Sequence, residues 1–489
     1  MSYDELVSGV DTAWLRMDSP TNLMIINAMI VIDRVDFDTF AKTIRQRLLR
    51  YPRFHQKPVW HSGLFYWVED QFFDLDCHLH RVALPGAADK SALQKYLSDQ
   101  LCVPFDSNKP LWQMHFIENY QDGAAVIMRV HHCYADGIAL VKLFHGITDA
   151  EPHPKKLKAV QPAADTVGAG EPLYAAHYPW PFYQHFVDAA VHTLERYGHW
   201  GQRLSEEGLH VLRDPEMLRH YLKDGVRAVS EVAKIALMPS DPKTCLKRTL
   251  GVKKVCAWSE KIPLALFKEI SDTLGCKIND LLLSCVAGAL RQEMLLAGDD
   301  LAVRKIHVTV PVNIRALQLE DNDVSLGNCF GTVFVPLPVG IDNPIERVYT
   351  VKHDMQTLKA SLQPGVSFAL LYATGLLPRH LQKPIMEMFC KKSSAVLSNV
   401  PGTREVRYLA GAKIREQMFW VPQTADIGLG LSIISYAGHV QFGMVGDARL
   451  FSDPERVIRH CVDELERHRP EHLFHRVEPV DTEKAVKRY

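Results

Sequence analysis

The 489-residue chain has no CxxC pair, almost no net charge and no convincing membrane-spanning run. Its ten cysteines, at 77, 102, 133, 245, 256, 276, 285, 329, 390 and 461, are scattered, several inside apolar periodic segments. That usage predicts reduced, buried thiols and argues against a disulfide framework or a zinc site. His78 and His80 share a strand face, but no third ligand candidate lies nearby in sequence, so no metal is expected. Lys plus Arg number 56 against 57 Asp plus Glu, and no basic stripe interleaved with aromatics occurs. Such a balance gives the chain no electrostatic reason to bind nucleic acid. The opening MSYDELVSGVDTAWL is acidic early, with no basic or long apolar region, so no signal peptide is expected and the cytoplasm is the expected location. The uncharged stretch 427–445 contains Gly428, Gly430, Gly438, Gly443, His439 and Gln441. A hairpin turning near Ala437-Gly438 accounts for it better than a transmembrane helix.

What is present is enough apolar sequence, 47%, to bury two cores, and the length calls for two domains. The boundaries expected are 1–151, a linker region 152–250, and 251–489. The linker opens with six prolines and two glycines between Pro152 and Pro181. Two amphipathic helix candidates follow, one carrying Val187, Val191 and Leu194, the other Leu222, Val226, Val229, Val232 and Ile235. Arg219, Lys223 and Arg227 flank the second. Docking onto a domain is the plain reading, and contact with a membrane or lipid surface the sharper one.

Periodicity sets out the elements. Leu23–Ile32 reads as a buried strand, and Asp36 caps a helix with Phe37, Phe40, Ile44 and Leu48 on one stripe. Leu111–Asn119 and the run from Ala124 form a hairpin across Gln121-Asp122-Gly123. In the second half, a helix over 263–274 ends at Gly275. Asn279 suits the N-cap of a buried helix running through Leu281–Leu290, and Ser452 with Glu455 suits a capping box for the last helix.

One stretch concentrates chemistry: His131-His132-Cys133-Tyr134-Ala135-Asp136-Gly137. Strand alternation puts Val126, Met128, Val130 and His132 on one face, and Ile138, Val141 and Phe144 give the following helix an apolar side. His132 therefore ends a strand just before a helix N-terminus, with Asp136 placed to cap it. Taken locally, a strand-ending histidine and a capping aspartate need no function at all.

The whole pattern, HHxxxDG, is the signature of the CoA-dependent acyltransferase superfamily. With it stand PLW at 110–112, ND at 279–280, SLGN at 325–328 and SNVPG at 398–402. Carrying all five in this order, the chain resembles the bacterial wax ester synthase/acyl-CoA:diacylglycerol acyltransferase family over nearly its whole length. Thr403, in place of a second proline, and Ile25, in place of a histidine, depart from the pattern. The resemblance implies an α/β fold (α+β mixed) of two chloramphenicol acetyltransferase-like domains with the active site on a tunnel between them.

It also implies acyl transfer from acyl-CoA, a substrate rather than a cofactor, to a fatty alcohol or diacylglycerol, with no other cofactor and no metal. Peripheral association with the inner membrane or lipid droplets goes with such substrates. His132 is the expected general base, because neutral imidazole suits proton abstraction near cellular pH. His131, one residue earlier, faces away and supports it. Asp136 is expected to be structural, and Gly137 to leave room for the channel. Asn279 is a candidate for oxyanion contact or alcohol positioning. Trp112, Asp280, Ser398 and Asn399 are candidates for substrate binding, and Ala360 for a small residue lining the tunnel. Three competing readings remain: Cys133 as nucleophile, a condensation-type enzyme acting on amines or carrier-bound substrates, and a non-catalytic lipid-droplet protein.

Overall fold

The computed structural model describes residues 5–152, 230–302, 305–314, 327–359, 361–469 and 471. Two mixed sheets with helices form two lobes, and a separate small three-stranded sheet is built from residues near the N-terminus. Most of the linker, with the first amphipathic candidate and most of the second, lies outside the described residues. Of the second, 230–237 is helical and Ile235 is buried.

In the first lobe the central strands are Ile25–Ile32 and Ala124–His131, antiparallel, with Ile25 opposite His131. Trp112–Ile117 returns beside the latter across the expected turn, where Gln121 takes a positive φ of 52°. Alternation sorts the side chains. Val126 and Val130 join Phe40, Ile44 and Leu143 under one layer of helices. Ala125 and Ile127 face Leu93 and Leu97 of the helix Lys90–Gln100. Burial on both faces explains the nearly continuous apolar sequence of these strands.

The second lobe wraps seven strands and several helices around Ile278–Leu296, which is apolar on nearly all sides and correspondingly buried. The expected hairpin is there, Leu429–Tyr436 against His439–Asp447, with Ala437 and Gly438 at φ of 46° and 79°. That combination fits a tight turn whose twist matches the strands. No single helix among the described residues is long and apolar enough to cross a membrane.

Three local expectations shift. The second helix cap is Lys277, not Asn279; the Asp280 carboxylate closes the box by accepting the Lys277 N–H at 3.0 Å. Asp453, not Ser452, caps the last helix, accepting from the Arg456 N–H. The boundary at 251 also fails to divide the sheets. Ala412–Trp420 leaves the second lobe and pairs with Ile25–Ile32 of the first, from Ile414 opposite Ile32 to Trp420 opposite Asn27. Trp420 and Met418 are buried there among residues of both lobes.

A second tie comes from the helix Gly9–Met17, which packs on Gln363–Leu376. A Cβ on Gly375 would lie 1.7 Å from the Gly9 carbonyl oxygen, so the two backbones approach as closely as glycine allows. That contact sets the position of Trp14.

Candidate active site

The strand Ala124–His131 delivers the two histidines into a turn fixed on both sides. The His131 N–H donates to the Leu111 carbonyl at 2.9 Å and the His132 N–H to the Met24 carbonyl at 2.8 Å. Asp136 caps the helix Gly137–Ile147, its Oδ1 accepting from the Ala139 N–H at 2.9 Å. That helix buries Ala139, Leu143 and Ile147 in the core. Its other apolar side, Ile138, Val141 and Phe144, lines a cavity instead.

The second lobe grips the same loop. Gly327, at a φ of 112°, donates its N–H to the Tyr134 carbonyl at 2.9 Å, and the Cys329 N–H donates to Asp136 Oδ2 at 2.9 Å. Between them, Asn328 Nδ2 donates to the His132 carbonyl and to Asp11 Oδ1, both at 2.6 Å. Asp11 also accepts from the Ser8 hydroxyl. Burial raises its pKa to about 6, against the pull of the Asn328 and Ser8 hydrogen bonds. Asn328, Asp11 and Trp14 had no role assigned from sequence. SLGN marked the place of Asn328 but not its partners, His132 and Asp11, which lie 196 and 317 residues upstream in the chain.

The His132 ring lies on Trp14, with centroids 4.2 Å apart and planes 14° from parallel, and Phe330 sits at 5.7 Å. Burial between these rings lowers the His132 pKa to about 4, opposed by its own backbone carbonyl and the Asp136 charge. The imidazole is therefore neutral at cellular pH. Its Nδ1 is enclosed without a partner of hydrogen-bonding geometry, and its own carbonyl, Asp136 and the Asn328 side chain, in that order, are the groups that favour a proton on the ring. His131 is turned elsewhere: its Nδ1 accepts from the Cys133 N–H at 3.2 Å, and its Nε2 lies 3.4 Å from Asp18 Oδ2.

His132 lines two cavities at once. The larger, about 420 Å³, brings it together with Asp136, Gly137, Ser398 and Asn399 among mainly apolar walls. The smaller, about 140 Å³, runs past Trp14, Phe330, Phe334, Leu371 and Phe389. At Gly137 an added Cβ would meet only Val400 Cγ2, at 3.5 Å, so this glycine gives room and relieves no strain.

Other expected site residues lie elsewhere. Trp112 is fully buried, stacks on His78 and donates its indole N–H to the Phe54 carbonyl. It lines neither cavity because its large ring is spent on the core beneath the loop. Asp280 is consumed by the helix cap. Asn279 is exposed and reaches the cavity only through Asn399, whose Nδ2 donates to its Oδ1 at 2.9 Å. Ala360 lies outside the described residues. Cys133 is fully buried in the core, and burial pushes its thiol well above the ordinary range. A thiol kept protonated and turned from both cavities is a poor nucleophile. Among the described residues no cluster of side chains could hold a metal.

A neutral, desolvated imidazole between two mixed-sheet lobes, at the junction of two apolar cavities, defines an acyltransferase of the HHxxxDG class. The wax ester synthase/diacylglycerol acyltransferase catalytic domain matches residues 7–282, and the WS/DGAT C-terminal domain matches 326–468. The chain belongs to this family and is an acyltransferase. It is 25% identical over 468 residues to the probable diacylglycerol O-acyltransferase tgs1 of Mycobacterium tuberculosis, covering 90% of each chain. To tgs2 of the same organism it is 24% identical over 444 residues, covering 87% of this chain and 90% of the other. Its fold matches the wax ester synthase/diacylglycerol acyltransferase from Marinobacter aquaeolei VT8 with a TM-score of 0.66, at 19% identity, over 95% of this chain and 98% of that one. The first condensation domain of the calcium-dependent antibiotic synthetase shares the fold at a TM-score of 0.56 and 11% identity, over 95% and 96% of the two chains.

Proposed function

We propose that the protein joins the acyl group of a long-chain acyl-CoA to a fatty alcohol or diacylglycerol hydroxyl, making wax ester or triacylglycerol. The observation that carries this reading is His132 at the meeting point of two apolar cavities. An ester of two aliphatic partners needs an arm for each, and a base where they meet.

With Nδ1 protonated toward its own carbonyl, the Nε2 lone pair of His132 takes the hydroxyl proton as the alcohol oxygen attacks the thioester carbon. The C–O bond forms, the carbonyl oxygen becomes the oxyanion, and collapse breaks the C–S bond. The proton on Nε2 then passes to the leaving CoA thiolate. A base lowered to about 4 is weak: its cation is disfavoured by about 3 kcal/mol relative to an exposed histidine. The developing oxyanion beside it offsets that cost as the pair of charges forms. General-base catalysis supplies about 10²–10⁴ in rate, and alignment in a dry cavity adds to it.

Acyl-CoA serves as substrate, and the reaction requires no further cofactor. The protein works in the cytoplasm, peripherally at the inner membrane or lipid droplets, because both the acceptor and the product partition into lipid. Incubation of purified protein with palmitoyl-CoA and either hexadecanol or a diacylglycerol tests the reading. The expected product is the ester; formation only of an amide from amine acceptors would favour the condensation-type alternative, and no product with any acceptor would overturn the enzyme reading. Unchanged ester formation in His132→Ala would return the lipid-droplet protein to consideration.

A further inference from the structure

A third cavity, about 490 Å³, lies where the helix Gly9–Met17 ends against the helix Arg379–Cys390. It adjoins the smaller of the two His132 cavities through Met386, Cys390 and Thr424, which line both. Its lining differs in kind from the other two. Five cations, Arg16, Arg248, Arg379, Lys383 and Lys391, stand against three carboxylates, Asp18, Glu387 and Asp426.

The carboxylates already have neighbours. Asp18 accepts from the Met24 N–H and faces His131. Asp426 lies 3.7 Å from Lys247, and Glu387 lies 3.8 Å from Lys383. Arg16 is committed as well, donating to the Gly375 and Leu377 carbonyls. Arg248, Arg379 and Lys391 have no carboxylate partner among the described residues, and all three are exposed at the rim. Arg379 also opens its helix, whose first turn has no side-chain cap and so adds the positive end of a helix dipole. Arg16 and Arg379 repel each other enough to help lower the Arg16 pKa, after the larger effect of burial. The large His132 cavity offers the opposite surroundings: its one charged lining residue other than the histidine is Asp136, an anion.

We propose that this cationic cavity is the acyl-CoA entrance, with Arg248, Arg379 and Lys391 holding the phosphates of the CoA nucleotide. The pantetheine arm then passes Met386 and Cys390 toward His132, and the Asp136-lined cavity is left to an uncharged acceptor. The assignment rests on the acyl-CoA reading above and adds which mouth takes the donor and which residues select it. Phosphate contacts of this kind raise affinity without touching the reacting atoms, so they act on KM more than on kcat.

Titration calorimetry of the full-length protein with CoA, 3′,5′-ADP and pantetheine tests it without requiring turnover. In the Arg248→Glu/Arg379→Glu double variant, CoA and 3′,5′-ADP are expected to bind at least about tenfold more weakly at an unchanged Tm, with pantetheine unaffected. KM for palmitoyl-CoA rises in parallel, whereas KM for palmitoyl-pantetheine and kcat stay within about twofold. Wild-type affinity for CoA in the double variant, or equal weakening of CoA and pantetheine, would overturn the proposal. Absence of ester formation by the wild type, with CoA binding still weakened by the charge reversals, would instead overturn the catalytic reading and leave the entrance standing.

Discussion

Each lobe carries a long antiparallel hairpin at the middle of a mixed sheet, and the two hairpins end differently. In the first lobe the strand Ala124–His131 runs out into His132, whose ring is left between two cavities. In the second, His439–Asp447 runs out into Asp447, fully buried and held by the Lys254 ammonium at 2.9 Å and the Gly251 N–H at 2.8 Å. Both ends are rigid. One polar group is held by a buried ammonium and backbone N–H groups, as a structural carboxylate is; the other lines two cavities and is placed for chemistry. The fold provides well-placed strand ends, and reactivity follows from which end is left unsatisfied beside a cavity.

Swapping the roles gives the largest contrast. His132→Ala should cut ester formation about a thousandfold or more while Tm stays unchanged. Asp447→Ala should do the reverse, costing about 3–5 kcal/mol of stability by leaving Lys254 buried and unpaired, with activity per folded molecule retained; thermal melts beside single-turnover assays separate the two. Next in size is Asn328→Ala. It removes the bond to the His132 carbonyl and orphans Asp11, and kcat should fall about tenfold to a hundredfold with KM for acyl-CoA little moved.

The pH dependence refines the picture further. The depressed His132 pKa keeps the base neutral as pH falls through 6.5, so the acid limb of kcat/KM should appear near 4. A limb at 6.5 would mean a solvated ring, contrary to the Trp14 stack. Asp11 moves the other way: its protonated form is the one favoured by burial, a contribution lost as pH rises through about 6. An inflection near 6 should therefore vanish in Asp11→Asn. The smallest expected effect is that of Cys133→Ala, with kcat within about twofold of wild type and no acyl-enzyme trapped in either protein.

The sequence was most readable where structure is local. Of the stripe Phe37, Phe40, Ile44 and Leu48, the last three are fully buried and Phe37, at the helix start, is half-buried, and both central hairpins turn where Asp-Gly and Ala-Gly stand. HHCYADG was readable for the same reason, since strand, turn and cap lie within a dozen residues. Caps slipped by one or two positions because Ser452 and Asp453, or Lys277 and Asn279, compete for neighbouring sites and small differences in backbone angle decide between them. Contacts between distant segments were the unreadable part. Nothing near Trp14 shows that it will lie on an imidazole more than a hundred residues later, since the Gly9–Gly375 approach decides that. The strand Ala412–Trp420 likewise finds its partner nearly four hundred residues upstream. Trp112 misled because a large aromatic beside a motif looks the same whether it faces a ligand or the core.

That crossing strand bears on how the protein comes off the ribosome. The sheet that carries the base is begun by the first strands synthesised, yet the edge of Ile25–Ile32 has no partner until residue 420 has emerged. Through most of translation the nascent chain holds a nearly continuous apolar strand with one open edge, a template for pairing with neighbouring chains on a polysome. Release of the C-terminal portion closes the edge and, through Gly327–Cys329, seats the histidine loop in the same interval. A truncated product ending before 412 should thus be both inactive and prone to aggregate.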